Sequence, residues 1–303
     1  MTGMSGGALV VHRLAGRLLV VDGGPGPWRR RTGVLDGDVR HGAADDRALA
    51  VLNRLVGNPW PTPALELLVG PLVLRAEAPL TVAVCGRASS GDEELPPFRP
   101  LRLAAGQRLQ MAPLDLTATI AVAGGVDAMP GTIFHRDDVI TLGGPRTGGV
   151  DAADHDLGVD ERSERARGPV PTDDAPLRVL PGPERGLFPD DAWATFLTTT
   201  WTVSPTSSRL GLRLEGPALP VPDVELTTSP TWTGAVQVPP AGQPIVLGVD
   251  SRTTGGYPRL AQVIAVDRFR LGHARPGRPL RFTTTTIDEA RALRRAFAAR
   301  WQR

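Results

Sequence analysis

Apolar positions in this chain fall in short runs punctuated by glycine, proline and aspartate, a pattern of many brief strands rather than long helices. Two runs, 8–13 and 17–22, read as paired strands around Gly16. After a Gly/Pro/Arg-rich loop the period changes. Over 45–56, Ala48, Leu49, Leu52, Leu55 and Val56 fall on one side of a helix, with Asp45 placed to cap it and Gly57 to end it. Further apolar runs follow at 64–70, 72–76, 80–86, 98–103 and 118–125. Their spacing, with turn residues between, predicts an antiparallel barrel or sandwich.

Residues 144–176 have few large apolar side chains and many Asp, Arg, Gly and Pro. They predict a linker or long surface loop over 146–176, between a unit at 1–145 and a second at 177–303. Asp151, Asp154, His155 and Asp156 within it offer donors to a metal, but a solvated acidic linker is the simpler account, and no metal site is assigned. The second block runs through RVL, a short helix near 190–197, TWTV, RLGLRLEG, AVQV, PIVLGVD, RLAQVIAV and PLRFTTT. It closes on a helix at 287–301. There Thr286 and Glu289 form a capping box, and Ile287, Ala290, Leu293, Phe297 and Trp301 share a face. The expected fold class is mainly β, with two β-rich units and a few short helices.

Composition sharpens this picture mainly by exclusion. The chain contains no lysine, so a lysine-bearing phosphate loop, a pyridoxal Schiff base, a lysine nucleophile and a biotinyl-lysine carrier are all ruled out within it. A formal charge of only +2 and the lack of a basic run with interleaved aromatics argue against nucleic-acid binding. No apolar run is long enough to span a bilayer, and the first residues lack a secretory pattern, so a cytoplasmic location with no membrane contact is expected. The single cysteine, Cys85, lies in a strand-like run and reads as an inert core thiol.

The candidate chemistry lies in 201–260. As one strand, 209–213 would place Arg209, Gly211 and Arg213 on one face, the glycine leaving room for two guanidiniums to grip a carboxylate or phosphate. The stiff Pro239-Pro240-Ala241-Gly242 turn brings Gln237 and Gln243 to one hairpin end. An apolar strand ends at Asp250. Thr253, Thr254, Gly255 and Gly256 then offer hydroxyls and backbone N–H groups that a ligand can approach closely.

The combination SRxGxRLEG, AxQVPPxGQPIVL and TTGGYP at this spacing resembles the family of the 5-oxoprolinase C subunit, KipA and allophanate hydrolase subunit 2, a biotin-dependent-carboxyltransferase-like group. LPGP at 180–183, NRLVGN at 53–58, LELLVGPLVLRA and AVAGGVD at 121–127 agree with it, and the likeness spans roughly 8–285. The resemblance implies two cyclophilin-like β-barrel domains. It also implies ATP-dependent hydrolysis of 5-oxoproline to glutamate, performed with the B and A subunits of 5-oxoprolinase (KipI-like and LamB/YcsF-like proteins), with ATP and Mg acting through the complex. Polar positions carried over are Asp45, Asn53, Arg209, Arg213, Gln237, Gln243, Asp250, Thr253, Thr254 and Tyr257. Asp250, Gln237 and Gln243 are expected to serve catalysis. Arg209, Arg213, Thr253, Thr254, Gly255, Gly256, Tyr257, Asp45 and Asn53 are expected to bind substrate.

Departures from the family pattern are Pro25 where an arginine is expected, Glu184 after PGP where Gln or His is common, Ser208 for Asp, Pro230 for Gly and Arg252 for Gln. They point to an altered substrate or lost activity, and two alternatives stay open. One is carboxyl transfer from carboxybiotin, carried on another protein, to a urea-like acceptor. The other is a KipA-like regulator that binds its partner without catalysis.

Overall fold

The alternation in the sequence becomes a predominantly β structure. The computed structural model describes residues 7–14, 17–21, 42–59, 62–68, 70–111, 117–143 and 175–299. The chain divides into two units, one holding the described residues up to 143 and the other those from 175. Pro25, the metal-donor candidates at 151–156, Trp301 and nearly all of the expected linker lie outside the described residues.

The first unit contains β1 (Ala8–Leu14), β2 (Arg17–Val21), α1 (Asp46–Leu55), β3 (Ala64–Leu68), β4 (Leu72–Ala76), β5 (Leu80–Cys85) and β6 (Ala88–Ser90). It continues with β7 (Glu93–Leu95), β8 (Pro100–Leu103), β9 (Arg108–Met111), β10 (Thr117–Val122), β11 (Ile133–Phe134) and β12 (Val139–Thr141). These form two antiparallel sheets, ordered β12-β1-β4-β9-β6-β7 and β11-β2-β3-β10-β5-β8. Leu9, Val11, Leu72, Leu74 and Leu109 of the first sheet share one core with Leu18, Val20, Leu65, Leu67 and Ile120 of the second. Because side chains alternate along a strand, Leu19, Val21, Ala83 and Ala121 face the other way. They pack with Ala48, Leu49 and Leu52 of α1 and with Val56 just after it. Strands β2, β3, β5 and β10 of the second sheet are thus largely buried on both faces, which explains their mostly apolar sequences. The first sheet is covered on one face only and keeps an alternating pattern. Cys85 is buried in the helix-side cluster.

The second unit contains β13 (Leu177–Pro181), α2 (Asp190–Thr198), β14 (Trp201–Val203), β15 (Gly211–Glu215), β16 (Ser229–Pro230), β17 (Ala235–Gln237) and β18 (Ile245–Leu247). It continues with β19 (Thr254–Gly255), β20 (Arg259–Val263), β21 (Pro279–Leu280), β22 (Phe282–Thr284) and α3 (Ile287–Ala299). Eight of these strands order as β21-β14-β15-β18-β17-β20-β13-β22, and β16 with β19 makes a separate ribbon. β21 and β22 occupy opposite ends of the sheet yet only Arg281 separates them in the chain. The sheet must therefore curl until its ends nearly meet, giving a nearly closed barrel. Phe196 of α2 stacks on Phe282 at 4.4 Å, and fully buried Trp201 donates its Nε1–H to the Phe196 carbonyl at 3.0 Å.

The capping box of α3 forms reciprocally: Glu289 N–H donates to Thr286 Oγ1 (3.2 Å), and Thr286 N–H to Glu289 Oε2 (3.1 Å). The expected apolar face is covered only in part, for Phe297 is buried while Ile287 is exposed. No helix among the described residues is long and apolar enough to cross a membrane.

Candidate functional site

Residues 209–213 do not form the continuous strand expected. Ser208 and Gly211 each donate the backbone N–H to the other's carbonyl, at 3.1 and 3.0 Å, which makes 208–211 a tight turn and starts β15 only at Gly211. The turn leaves Leu210 exposed and Arg209 buried, while Arg213 is an exposed position of β15. One buried and one exposed arginine replace the expected pair on a shared strand face.

The Arg209 guanidinium grips Asp250 with two prongs, Nε to Oδ2 at 2.7 Å and Nη2 to Oδ1 at 2.9 Å. The backbones also meet here, Asp250 N–H donating to the Arg209 carbonyl at 3.1 Å. Gly248 permits this approach, since a Cβ there would lie 2.1 Å from the Arg209 carbonyl oxygen. A carboxylate held at both oxygens by a buried guanidinium is a fixed acceptor rather than a mobile one.

From Asp250 the chain runs into the β16–β19 ribbon, in which Ser229 pairs with Gly255 and Pro230 with Thr254. Buried Thr231 anchors the loop from below. Its N–H donates to the Thr253 carbonyl (2.7 Å) and its Oγ1–H to the Arg252 carbonyl (2.6 Å). Thr254, Gly256 and Tyr257 are exposed, while Thr253 and Gly255 are half-buried.

Beneath this loop lies Gln237. It is 6% exposed, and its Nε2 has no hydrogen-bond partner. A Cβ on Gly255 would sit 2.8 Å from that nitrogen and 3.2 Å from Thr231 Cγ2, so glycine keeps open the space in front of the amide. Leaving a buried donor unsatisfied costs about 1–3 kcal/mol, and an acceptor oxygen entering the cradle removes that penalty. Gln243 lies beyond the Pro239–Gly242 turn. Its Nε2 donates to the Gly216 carbonyl at 3.2 Å, and its Oε1 is buried and unpartnered.

The loop is braced by Arg259, which has no conspicuous sequence signal beyond following TTGGYP. On β20 it pairs in register with Gln237. Its Nε donates to Glu184 Oε2 (2.7 Å), its Nη2 to Glu184 Oε1 (2.5 Å) and its Nη1 to the Pro230 carbonyl (2.6 Å). Its guanidinium also lies 5.6 Å from the centroid of the Trp232 ring. These hydrogen bonds hold the Glu184 carboxyl below the usual glutamate range and raise Arg259. One departure from the family pattern, Glu184, therefore serves a clamp that ties the LPGP turn to the ribbon, which contributes the Pro230 backbone carbonyl.

Arg209, Asp250, the 253–256 loop and Gln237 thus form one connected arrangement in the second unit. Asp45 and Asn53 belong to the first, in structural settings. Asp45 Oδ1 accepts from the Ala48 N–H at 2.8 Å, capping α1. Asn53 Nδ2 donates to the Thr62 carbonyl, and its Oδ1 accepts from Asn58, which also reaches the Val122 carbonyl.

Comparison with known proteins agrees with this architecture. Residues 37–284 match the carboxyltransferase domain, subdomain A and B. The chain is 35% identical over 296 residues to the 5-oxoprolinase C subunit of Escherichia coli K12, covering 89% of each protein. Among solved structures, TTHA0988 is 32% identical with a TM-score of 0.73, over 92% of this chain and 56% of that one. The urea carboxylase of Kluyveromyces lactis has a TM-score of 0.81 at 21% identity, over 97% of this chain and 29% of that one, a likeness of fold. A match over most of its length, joined to this fold, makes the chain a member of the carboxyltransferase-domain family that includes the C subunit of 5-oxoprolinase.

Proposed function

We propose that this chain is the carboxyltransferase-domain component of an assembly that hydrolyses 5-oxoproline to glutamate with ATP, working with the A and B subunits of 5-oxoprolinase. The observation that carries the reading is the unpartnered Gln237 amide facing a cradle kept open by Gly255. As water adds to the lactam carbon, charge gathers on the lactam carbonyl oxygen. A fixed N–H donor in a buried setting stabilises that charge more than water does. The same donor suits a phosphate oxygen if the lactam oxygen is first phosphorylated. Asp250, fixed by Arg209, accepts from a water or from the ring N–H. Arg213, exposed on β15 and without an acidic partner among the described residues, is the cation offered to the substrate carboxylate. ATP and Mg act within the complex, and whatever holds the phosphates in this chain is not a lysine-bearing phosphate loop.

The test is reconstitution with the A and B subunits and measurement of glutamate released from 5-oxoproline. Release is expected only with ATP and only when this chain is present. An assembly that turns over equally well without it refutes the proposal. The family description itself favours one second reading, carboxyl transfer from carboxybiotin to a urea-like acceptor. With no lysine in the chain, biotin would arrive on another protein. Avidin-sensitive, bicarbonate-dependent carboxylation of urea would establish that reading instead.

A further inference from the structure

The exposed face of the first sheet in the first unit carries a second polar feature, remote in the chain from the Gln237 cradle. β1 is bulged: Val11 pairs with Leu74 and Arg13 with Val73, so His12 is an extra residue. A regular strand would send neighbouring side chains to opposite faces, but here His12 and Arg13 are both exposed and line one groove. The turn at 135–138 bonds to the same bulge, Val11 N–H to the Asp138 carbonyl (3.0 Å) and Asp137 N–H to the Val11 carbonyl (2.7 Å). Asp137 takes φ of +69°, a left-handed conformation uncommon outside glycine, and the turn sets Arg136 at the groove. β9 adds Arg108 and Gln110, and Val73 forms the floor.

The groove measures about 340 Å³, within the usual range for small-ligand sites. Among the described residues His12, Arg13 and Arg108 have no acidic partner, and the ion pair of Arg136 is a loose one at 3.7 Å to Asp137, with both side chains mostly exposed. Arg108 also pairs in register with Arg75. Glu77 meets Arg75 at 2.8 Å, so Arg108 is the cation of that pair left without a carboxylate among the described residues.

We propose that the groove lined by His12, Arg13, Val73, Arg108, Gln110 and Arg136 binds a di- or triphosphate group, free or carried by a nucleotide. Guanidinium forks match phosphate oxygens two at a time. Three of them converging on one compact groove suit a multiply charged anion, where a single carboxylate needs one. An acidic peptide would instead call for cations spread along a strip. The groove belongs to a separate unit from the Gln237 cradle, so the lactam reading and this one fail independently.

Calorimetric titration of the full chain with sodium tripolyphosphate at low salt tests it. One site per chain is expected. Affinity should fall at least about tenfold in Arg13→Gln/Arg108→Gln and in Gln110→Glu, which places a carboxylate among the guanidiniums. Arg291→Gln, on exposed α3, should bind like the parent. All substituted side chains are exposed, and unchanged melting confirms that folding is retained. ATP binding as tightly as tripolyphosphate shows that the phosphate chain alone is recognised, and tighter binding shows that the nucleoside adds contacts. The proposal is overturned if the groove variants bind as well as the parent, or if hexaglutamate binds more tightly than tripolyphosphate.

Discussion

Replacing Glu184 by alanine leaves the Arg259 guanidinium stranded. Arg259 is 7% exposed. It would lose acceptors for Nε, Nη2 and its own backbone N–H, keeping only the Pro230 carbonyl at Nη1. Removing one member of a buried ion pair costs about 3–5 kcal/mol. The Glu184 side chain is 16% exposed, so water partly replaces the missing carboxylate and the loss should lie near the low end, about 3 kcal/mol. For a unit of this size that corresponds to a melting temperature lower by roughly 6–12 °C. Denaturant unfolding followed by tryptophan fluorescence is a suitable assay, because Trp193, Trp201 and Trp232 all belong to the second unit and Trp232 lies over Arg259. Glu184→Leu/Arg259→Met, which removes both charges, should recover much of the loss. A loss below about 1 kcal/mol for Glu184→Ala would mark an ordinary surface pair and refute the clamp. So would a double variant no more stable than Glu184→Ala.

Three further outcomes are expected. Glu184 is held below the usual glutamate range chiefly by the Arg259 hydrogen bond, so its stabilisation is present above the unfolded value of about 4.3 and is lost as pH falls through the lower folded value. Melting profiles of wild type and Glu184→Gln should therefore converge on acidification below that point, and parallel profiles would contradict the linkage. Gly255→Ala puts a Cβ 2.8 Å from Gln237 Nε2, so the reconstituted activity should fall at least about tenfold for a displaced donor, while circular dichroism still reports a folded chain. Asp45→Ala removes the cap of α1 and should destabilise the first unit by about 1–2 kcal/mol in denaturant titrations, with Asp45→Asn recovering most of it.

Local features were the most legible in the sequence. Helix α1 with its Asp45 cap and the Thr286–Glu289 box announce themselves because the residues involved lie within a turn of one another. The two-sided burial of β2 is likewise written in an unbroken apolar run over 18–21. What escaped depends on contacts distant in sequence or on departures from regular backbone. Closure of the second barrel rests on β21 and β22 reaching opposite ends of one sheet. Arg209 looked like the start of a strand, but the turn closed by Ser208 and Gly211 turned it inward to Asp250, 41 residues away. Glu184 and Arg259, 75 residues apart, carry no shared local signal. The bulge at His12 breaks the alternation that makes strands readable at all.

The most direct test replaces Gln237 by leucine in the reconstituted assembly and measures ATP-dependent glutamate release together with the melting temperature of the chain. Leucine fills the same volume without an unsatisfied donor, so stability should hold or rise. Turnover should fall by about 10²-fold or more, as for loss of a positioned donor to a developing oxyanion. Undiminished turnover, or a marked drop in melting temperature, would show that this amide serves the fold rather than the reaction.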